Sequence, residues 1–273
     1  MDYGVQFNKL MYERLISGGD ITLFSPHDVP GLYDAFFQDQ EKFKEIYEAA
    51  ERKTSIKKKK IKAIDLFSAF ATERKDTGRI YLMNVDHANT HGAFIEDIAP
   101  IKQSNLCCEI NLPTKPLNDI NDPEGEISLC TLSAINWGII KDFDEMHKVC
   151  NLAVRGLDEL LDYQAYPVLA AELSTMNRRP LGIGIINFAY WLVKHDMTYQ
   201  QPNLELIDEW AEAWSYGLIK ASNELAQEKG ACPKNMETKY GHGITPNQTY
   251  KTDVNELVKN KERQDWKGLR ASL

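Results

Sequence analysis

Hydrophobic residues recur in this chain at two alternating periods, and that alternation constrains the fold more than any single motif. Short apolar runs that read as strands, Ile80–Val85 and Ile127–Ile135, are interleaved with stretches of helical period. The strongest helical pattern, Asp142–Tyr163, sets Met146, Val149, Cys150, Ala153, Leu157, Leu160 and Leu161 on one face. A longer one carries Ile207, Trp210, Trp214, Leu218, Ala221 and Leu225 and is closed by Gly230 in a C-cap position. Strands interleaved with long helices predict an α/β fold.

The remaining segments fit that frame with less regularity. Val5, Leu10, Met11 and Leu15 give a first helix without a capping entry, ended by Gly18-Gly19. Pro26, Pro30 and Gly31 make 20–34 a loop or short strand. Phe36, Phe43, Tyr47 and Ala50 share one face of a second helix. A third is predicted from about Ser55 to Arg74, with Lys57–Lys60 and Lys62 as its solvated start and Ile61, Ile64, Phe67 and Phe70 as its apolar stripe. Thr77-Gly78 turns the chain into the strand at 80–85. Residues 86–103 read as irregular and 106–112 as extended. Leu181–Leu192 is apolar with Gly182 and Gly184 at its start, and Leu257, Val258 and Trp266 suggest helical pieces. Both ends fall inside elements, so the expectation is a piece cut from a larger domain.

Charge narrows the function. Across 273 residues the formal net charge is −8, which argues against a general nucleic-acid surface. The run Lys57–Lys60 leaves a local nucleic-acid patch as the lesser alternative to a solvated helix start. No apolar run is long enough for a membrane helix, and Met1-Asp2-Tyr3 lacks the basic start of a signal peptide. A cytoplasmic location is expected. The five cysteines, Cys107, Cys108, Cys130, Cys150 and Cys232, are odd in number and include no C-x-x-C pair. Free or redox-active thiols are expected rather than a disulfide scaffold or a structural zinc.

The densest polar cluster is Ser104-Asn105-Leu106-Cys107-Cys108-Glu109. If this segment is extended, Asn105, Cys107 and Glu109 point to one face. A thiol can act as nucleophile or redox centre, a carboxylate can move protons, and an amide can hold hydroxyls. Spacing alone leaves inert packing as the commoner fate of such cysteines. Cys130, in an apolar strand, reads as a buried small hydrophobe, Cys150 as packing, and Cys232 has no assigned role. His87 and His91 lie four apart near Asp86 without a third ligand, so loop histidines are favoured over a metal site. Gly182-Ile183-Gly184 opens like a dinucleotide fingerprint, but Asn187 stands where the third glycine belongs, and close backbone packing is the better reading.

At SNLCCEINLPTKPLND, continuing through EGEISLCTLSAINWG, the chain resembles the active-site loop and following strand of the large, catalytic subunit of class I ribonucleoside-diphosphate reductase. MDYGVQFNKLMYERL, DITLFSPHDVPGLYDAFF, TGRIYLMNVDHANTHGAF, LGIGIINFAYWL and KASNELAQEKGACP resemble the same family in the same order, so the likeness covers essentially the whole chain, with bacterial and bacteriophage Ia-type subunits as the nearest kind. The resemblance implies part of a ten-stranded α/β barrel with a central finger loop at about 103–113, incomplete at both ends. Residues 1–273 would form one partial catalytic barrel domain with no separate second domain. It implies that Cys107 becomes a thiyl radical, that Glu109 takes the 3′-hydroxyl proton, that Asn105 bonds the ribose hydroxyls, and that Cys130 is one of the redox pair. The implied substrate is a ribonucleoside diphosphate. The implied partners are other segments of the large subunit, a small subunit with a di-iron/tyrosyl radical, and thioredoxin or glutaredoxin. No cofactor, metal, nucleic acid or membrane is implied for this segment itself.

The departures from the family are specific. The partner of Cys130, the nucleotide effector sites, the substrate-phosphate loop, the radical-relaying tyrosines and the C-terminal cysteine tail are not among these residues. Cys108 stands where the family has an aliphatic residue, and a vicinal thiol there can compete in oxidation. An incomplete barrel exposes strand edges and apolar faces, so poor solubility or obligate association is expected. Two alternatives stay open: a truncated, non-catalytic remnant, and an α-helical scaffold or binding module whose cysteines only pack.

Overall fold

The computed structural model describes residues 2–248 and 262–273. Its contacts divide the chain into two compact units, residues 1–114 and 115–273. The α/β expectation holds. Among the described residues, six strands pair two by two and no sheet closes on itself. No described helix is long and apolar enough to cross a membrane.

The first unit opens with a strand where a helix was expected. Strand β1 (Tyr3–Phe7) is separated from helix α1 (Lys9–Ile16) by Asn8, whose side chain accepts a hydrogen bond from the Met11 amide. That cap is the entry missing from the sequence reading, and Val5 belongs to the strand. Strand β2 (Asp20–Leu23) pairs antiparallel with β3 (Lys59–Lys62). Between them, helices α2 (Leu32–Gln38) and α3 (Gln40–Arg52) replace the single expected helix. Asp39 is extended and caps α3 through the Lys42 amide at 3.0 Å.

The basic run is therefore an edge strand rather than a helix start. Lysines suit an exposed edge because they oppose further pairing. Lys58 donates to the carbonyls of Ala50 and Glu51 at 3.3 and 2.6 Å, satisfying the end of α3. Helix α4 (Ala63–Thr77) follows, closed by Gly78 at φ +68°. Its Phe67 stacks on Phe7 with ring centroids 4.9 Å apart, and its Phe70 meets the same ring tilted by 59° at 5.4 Å. Ile64 is exposed and Ile61 lies in β3, so only half of the expected stripe forms. Strand β4 (Ile80–Asn84) pairs parallel with β1 over five residues. The short helix α5 (Val85–Thr90) then occupies a stretch read as irregular.

In the second unit, the expected strand at 127–135 is shorter and shifted. Strand β5 spans Thr131–Asn136, while the Ile127 amide donates to Ala170. Helix α6 (Phe143–Tyr163) starts at Asp142, which accepts from the Glu145 amide at 2.8 Å. Its buried stripe is Met146, Cys150, Val154, Leu157 and Leu161, whereas Leu160 points to solvent. Helix α7 (Leu169–Arg178) was not anticipated. Strand β6 (Leu181–Ile186) pairs parallel with β5 along its whole length, from Thr131↔Leu181 to Asn136↔Ile186. Helices α8 (Phe188–Lys194), α9 (Leu204–Lys229) and α10 (Trp266–Ser272) complete the described elements. Asn203 caps α9 and Gly230, at φ +93°, ends it. Leu257 and Val258 lie outside the described residues.

The core of this unit gathers Trp137, Trp191 and Trp210 around Ile135, Met146 and Cys150. Ile183 and Ile185 of β6 pack against it. The other face of the β5–β6 ribbon carries the alternate residues Leu132, Ala134, Gly184 and Ile186, all exposed.

Candidate active site

The segment around Cys107 is a turn, not the expected extended strand. The Cys108 amide donates to the Asn105 carbonyl at 3.1 Å, and Cys108 adopts φ +66°. A left-handed residue reverses the chain, so strict alternation of faces is lost. Asn105 and Glu109 are nevertheless brought together by the reversal itself. Asn105 Nδ2 donates to Glu109 Oε1 at 2.5 Å, and Asn105 Oδ1 accepts from the Ile110 amide at 3.1 Å. Cys107 sits on the exposed crown of that turn. Cys108 turns the other way, half-buried against the cluster of Phe37, Met83, Val85 and Phe94. Its non-glycine residue in a left-handed conformation is a local strain on the order of 1–2 kcal/mol.

Two amides that sequence reasoning missed hold the approach to this turn. Asn89 is 2% exposed and accepts from the Ile101 amide at 2.7 Å. Its Nδ2 donates to the carbonyls of Ile101 and Val85 at 3.0 and 2.8 Å. Gln6 donates to the Lys102 carbonyl at 2.8 Å. Asn89 thus stands in for a sheet partner along a segment that has none, with Ile101 itself buried. No local pattern marks an asparagine for this task.

Cys130 precedes β5 by one residue and is half-buried. The segment leading into it is pinned by charge. Glu126 is 5% exposed and pairs with Arg178 at 2.5 Å, with Lys115 at 3.5 Å, and with Lys234. Lys115 and Glu126 also form an antiparallel backbone bridge. Burial alone would push the Glu126 carboxyl upward, but hydrogen bonds from Lys234 and Arg178 outweigh it and hold the group below the usual glutamate range.

No disulfide joins the five cysteines. Cys150 is fully buried, and burial pushes its thiol up to about 12, which fits the expected packing role. Burial also raises Cys232. His87 lies in α5 and His91 caps its end, with ring centroids 5.4 Å apart, so the pair is helical rather than in a loop. Among the described residues no group of three or more His, Cys, Asp or Glu is placed to hold a metal ion. Gly182-Ile183-Gly184 is strand β6, paired along its length, which removes it as a phosphate-binding turn.

Strand pairs that do not close, set among long helices, define an α/β architecture, with an exposed thiol, Cys107, on a turn and a half-buried one, Cys130, just ahead of a strand. The chain belongs to the ribonucleotide reductase barrel domain family, whose model matches residues 1–273. It is 54% identical over 274 residues to the ribonucleoside-diphosphate reductase subunit alpha of Haemophilus influenzae. It is 57% identical to ribonucleoside-diphosphate reductase 1 subunit alpha of Escherichia coli, and 46% identical to the subunit alpha of Enterobacteria phage T4. Each alignment covers 100% of this chain and 36% of the relative, so the chain spans about a third of the length of these relatives.

Proposed function

We propose that this chain supplies the radical-bearing part of the catalytic subunit of a ribonucleoside-diphosphate reductase. With other large-subunit segments and a radical-generating small subunit, it converts ribonucleoside diphosphates to deoxyribonucleoside diphosphates. The observation that carries the reading is the 105–109 turn. It presents one exposed thiol and, across its base, an amide hydrogen-bonded to a carboxylate.

The chemistry follows from those groups. As a thiyl radical, Cys107 takes the 3′ hydrogen of the ribose, while Glu109 accepts the 3′-hydroxyl proton. Asn105 exchanges its bond to Glu109 for bonds to the ribose hydroxyls. The 2′ hydroxyl leaves as water. Cys130 and a second cysteine outside these residues supply two electrons and become a disulfide, and Cys107 returns the 3′ hydrogen. The balance is one diphosphate and two thiols in, and one deoxynucleotide, one disulfide and one water out. Thioredoxin or glutaredoxin then reduces the disulfide by thiol exchange. The expected setting is the cytoplasm.

The test is reconstitution. The chain is co-expressed with the remaining large-subunit segments and a small subunit, and deoxynucleotide formation is followed. Activity that is lost with Cys107→Ser supports the reading. Reduction that survives Cys107→Ser, or no reduction with any set of partners, overturns it in favour of a non-catalytic remnant.

A further inference from the structure

The Cys130 sulfur lies over a backbone notch. Leu132 pairs directly with Gly182 across the β5–β6 ribbon, and Cys130 is two residues before Leu132, on the same face. A methyl group on Gly182 would sit 2.8 Å from Cys130 Sγ and 2.5 Å from Leu132 Cδ2. Both lie well inside the roughly 3.5–4.0 Å at which nonbonded heavy atoms are comfortable. Gly184, two residues on and on the same face, is different: a methyl there would find only the Ser133 carbonyl oxygen, at 4.0 Å. The two glycines of one short motif therefore do different things. The backbone does not require either of them, since neither has a positive φ.

We infer that Gly182 is a positioning residue for Cys130: the missing side chain leaves the space that fixes the thiol on the bare face of the ribbon. This rests on the reading of Cys130 as a reducing cysteine. Leu132 is 61% exposed and can swing aside. An added methyl is then accommodated by rotating the Cys130 side chain out of the notch, with little effect on the fold. A thiol that must meet a partner sulfur tolerates such a rotation poorly, because disulfide formation requires sulfur atoms about 2.05 Å apart at a fixed dihedral.

The experiment compares the full chain with Gly182→Ala, Gly184→Ala, and Gly182→Ala combined with Leu132→Ala. Iodoacetamide labelling of each cysteine is timed by mass spectrometry. Cys150, fully buried in the same unit, reports whether that unit stays folded. Gly182→Ala is expected to speed Cys130 labelling about tenfold as the thiol is expelled toward solvent. Gly184→Ala should leave it unchanged, and the double variant should keep the increase because the sulfur contact remains. Equal Cys130 rates in the two glycine variants, a slower rate in Gly182→Ala, a return to the parent rate in the double variant, or a parallel rise at Cys150 would each overturn the inference. In the reconstituted enzyme, Gly182→Ala should lower kcat without changing KM for the diphosphate. A Cys130→Ser enzyme that still turns over would sink the reducing role of Cys130 itself, while the labelling rates would still decide the notch.

Discussion

The approaches to Cys107 and to Cys130 are held in place by opposite kinds of force. Before Cys107, the chain is held by neutral amides: Asn89 takes the backbone of Ile101, and Gln6 takes Lys102. Before Cys130, it is held by buried charge, with Glu126 between Arg178, Lys234 and Lys115. Neutral hydrogen bonds are individually modest and insensitive to pH. A buried ion cluster is costly to break and depends on ionisation. The difference teaches that the turn is an independently tethered feature, whereas the position of Cys130 is tied to the state of a charged core.

The largest effect should come from Arg178→Met. The guanidinium is 4% exposed and binds both Glu126 and Glu237, so its loss leaves two carboxylates short of a partner. Lys234 and Lys115 still face Glu126, so a loss on the order of 3 kcal/mol in unfolding free energy is expected at neutral pH. Because the Glu126 pKa is lowered in the folded state, its stabilisation is complete above the ordinary glutamate range and fades as pH falls through and below it. The gap between parent and variant should therefore narrow in acid. Denaturant midpoints that coincide at pH 7, or a gap that persists undiminished at low pH, would break the contrast.

That charge cluster also marks where sequence reasoning stops. Glu126 and Arg178 are 52 residues apart, and nothing local announces that they meet. Helices α6 and α9 were legible because a buried stripe recurs at helical period within one element. Strand β1 was not, because its hydrogen-bonding partner is β4, some 77 residues on, and Asn8 was not recognised as a cap. The lysines of β3 were read as a solvated helix because their antiparallel partner, β2, lies about 40 residues earlier. At the candidate site, the geometry differs from the extended segment that the sequence suggests. Asn105, Cys107 and Glu109 were singled out as a set, but the link between Asn105 and Glu109 comes from a reversal at Cys108 rather than from strand alternation.

A middle-sized effect is expected for Asn89→Ala, which leaves the buried Ile101 amide and carbonyl without their partner. The cost is about 1–3 kcal/mol. It should be confined to residues near 101 rather than spread through the unit, since Gln6 still holds Lys102. Native-state hydrogen exchange reads this directly: protection at the Ile101 amide should fall about tenfold or more, 1.4 kcal/mol being a factor of ten. In contrast to Arg178→Met, the loss should be the same at pH 5 and pH 8, because no titrating group takes part. A pH-dependent loss, or unchanged protection at Ile101, would erase the distinction between the two tethers.

The smallest effect, and the finest probe of the turn, is Asn105→Asp. The substitution is isosteric and keeps the oxygen that accepts from the Ile110 amide. It replaces the donor to Glu109 with a second carboxylate oxygen at hydrogen-bonding distance. Two ionised carboxylates that close repel, so at neutral pH the 105–109 contact opens, and it reforms only when one of the pair takes a proton. Both side chains are exposed, so global stability should barely move. The change should appear instead as faster exchange at the Ile110 amide at pH 7, recovering as the pH is lowered into the carboxylate range. The exchange of a single atom group thus sets two carboxyl groups against each other where the parent has an amide and a carboxyl group. If Ile110 protection in the variant stays flat across that range, Asn105 does not couple the turn to Glu109, and the amide–carboxylate pair beneath Cys107 is not what holds the turn closed.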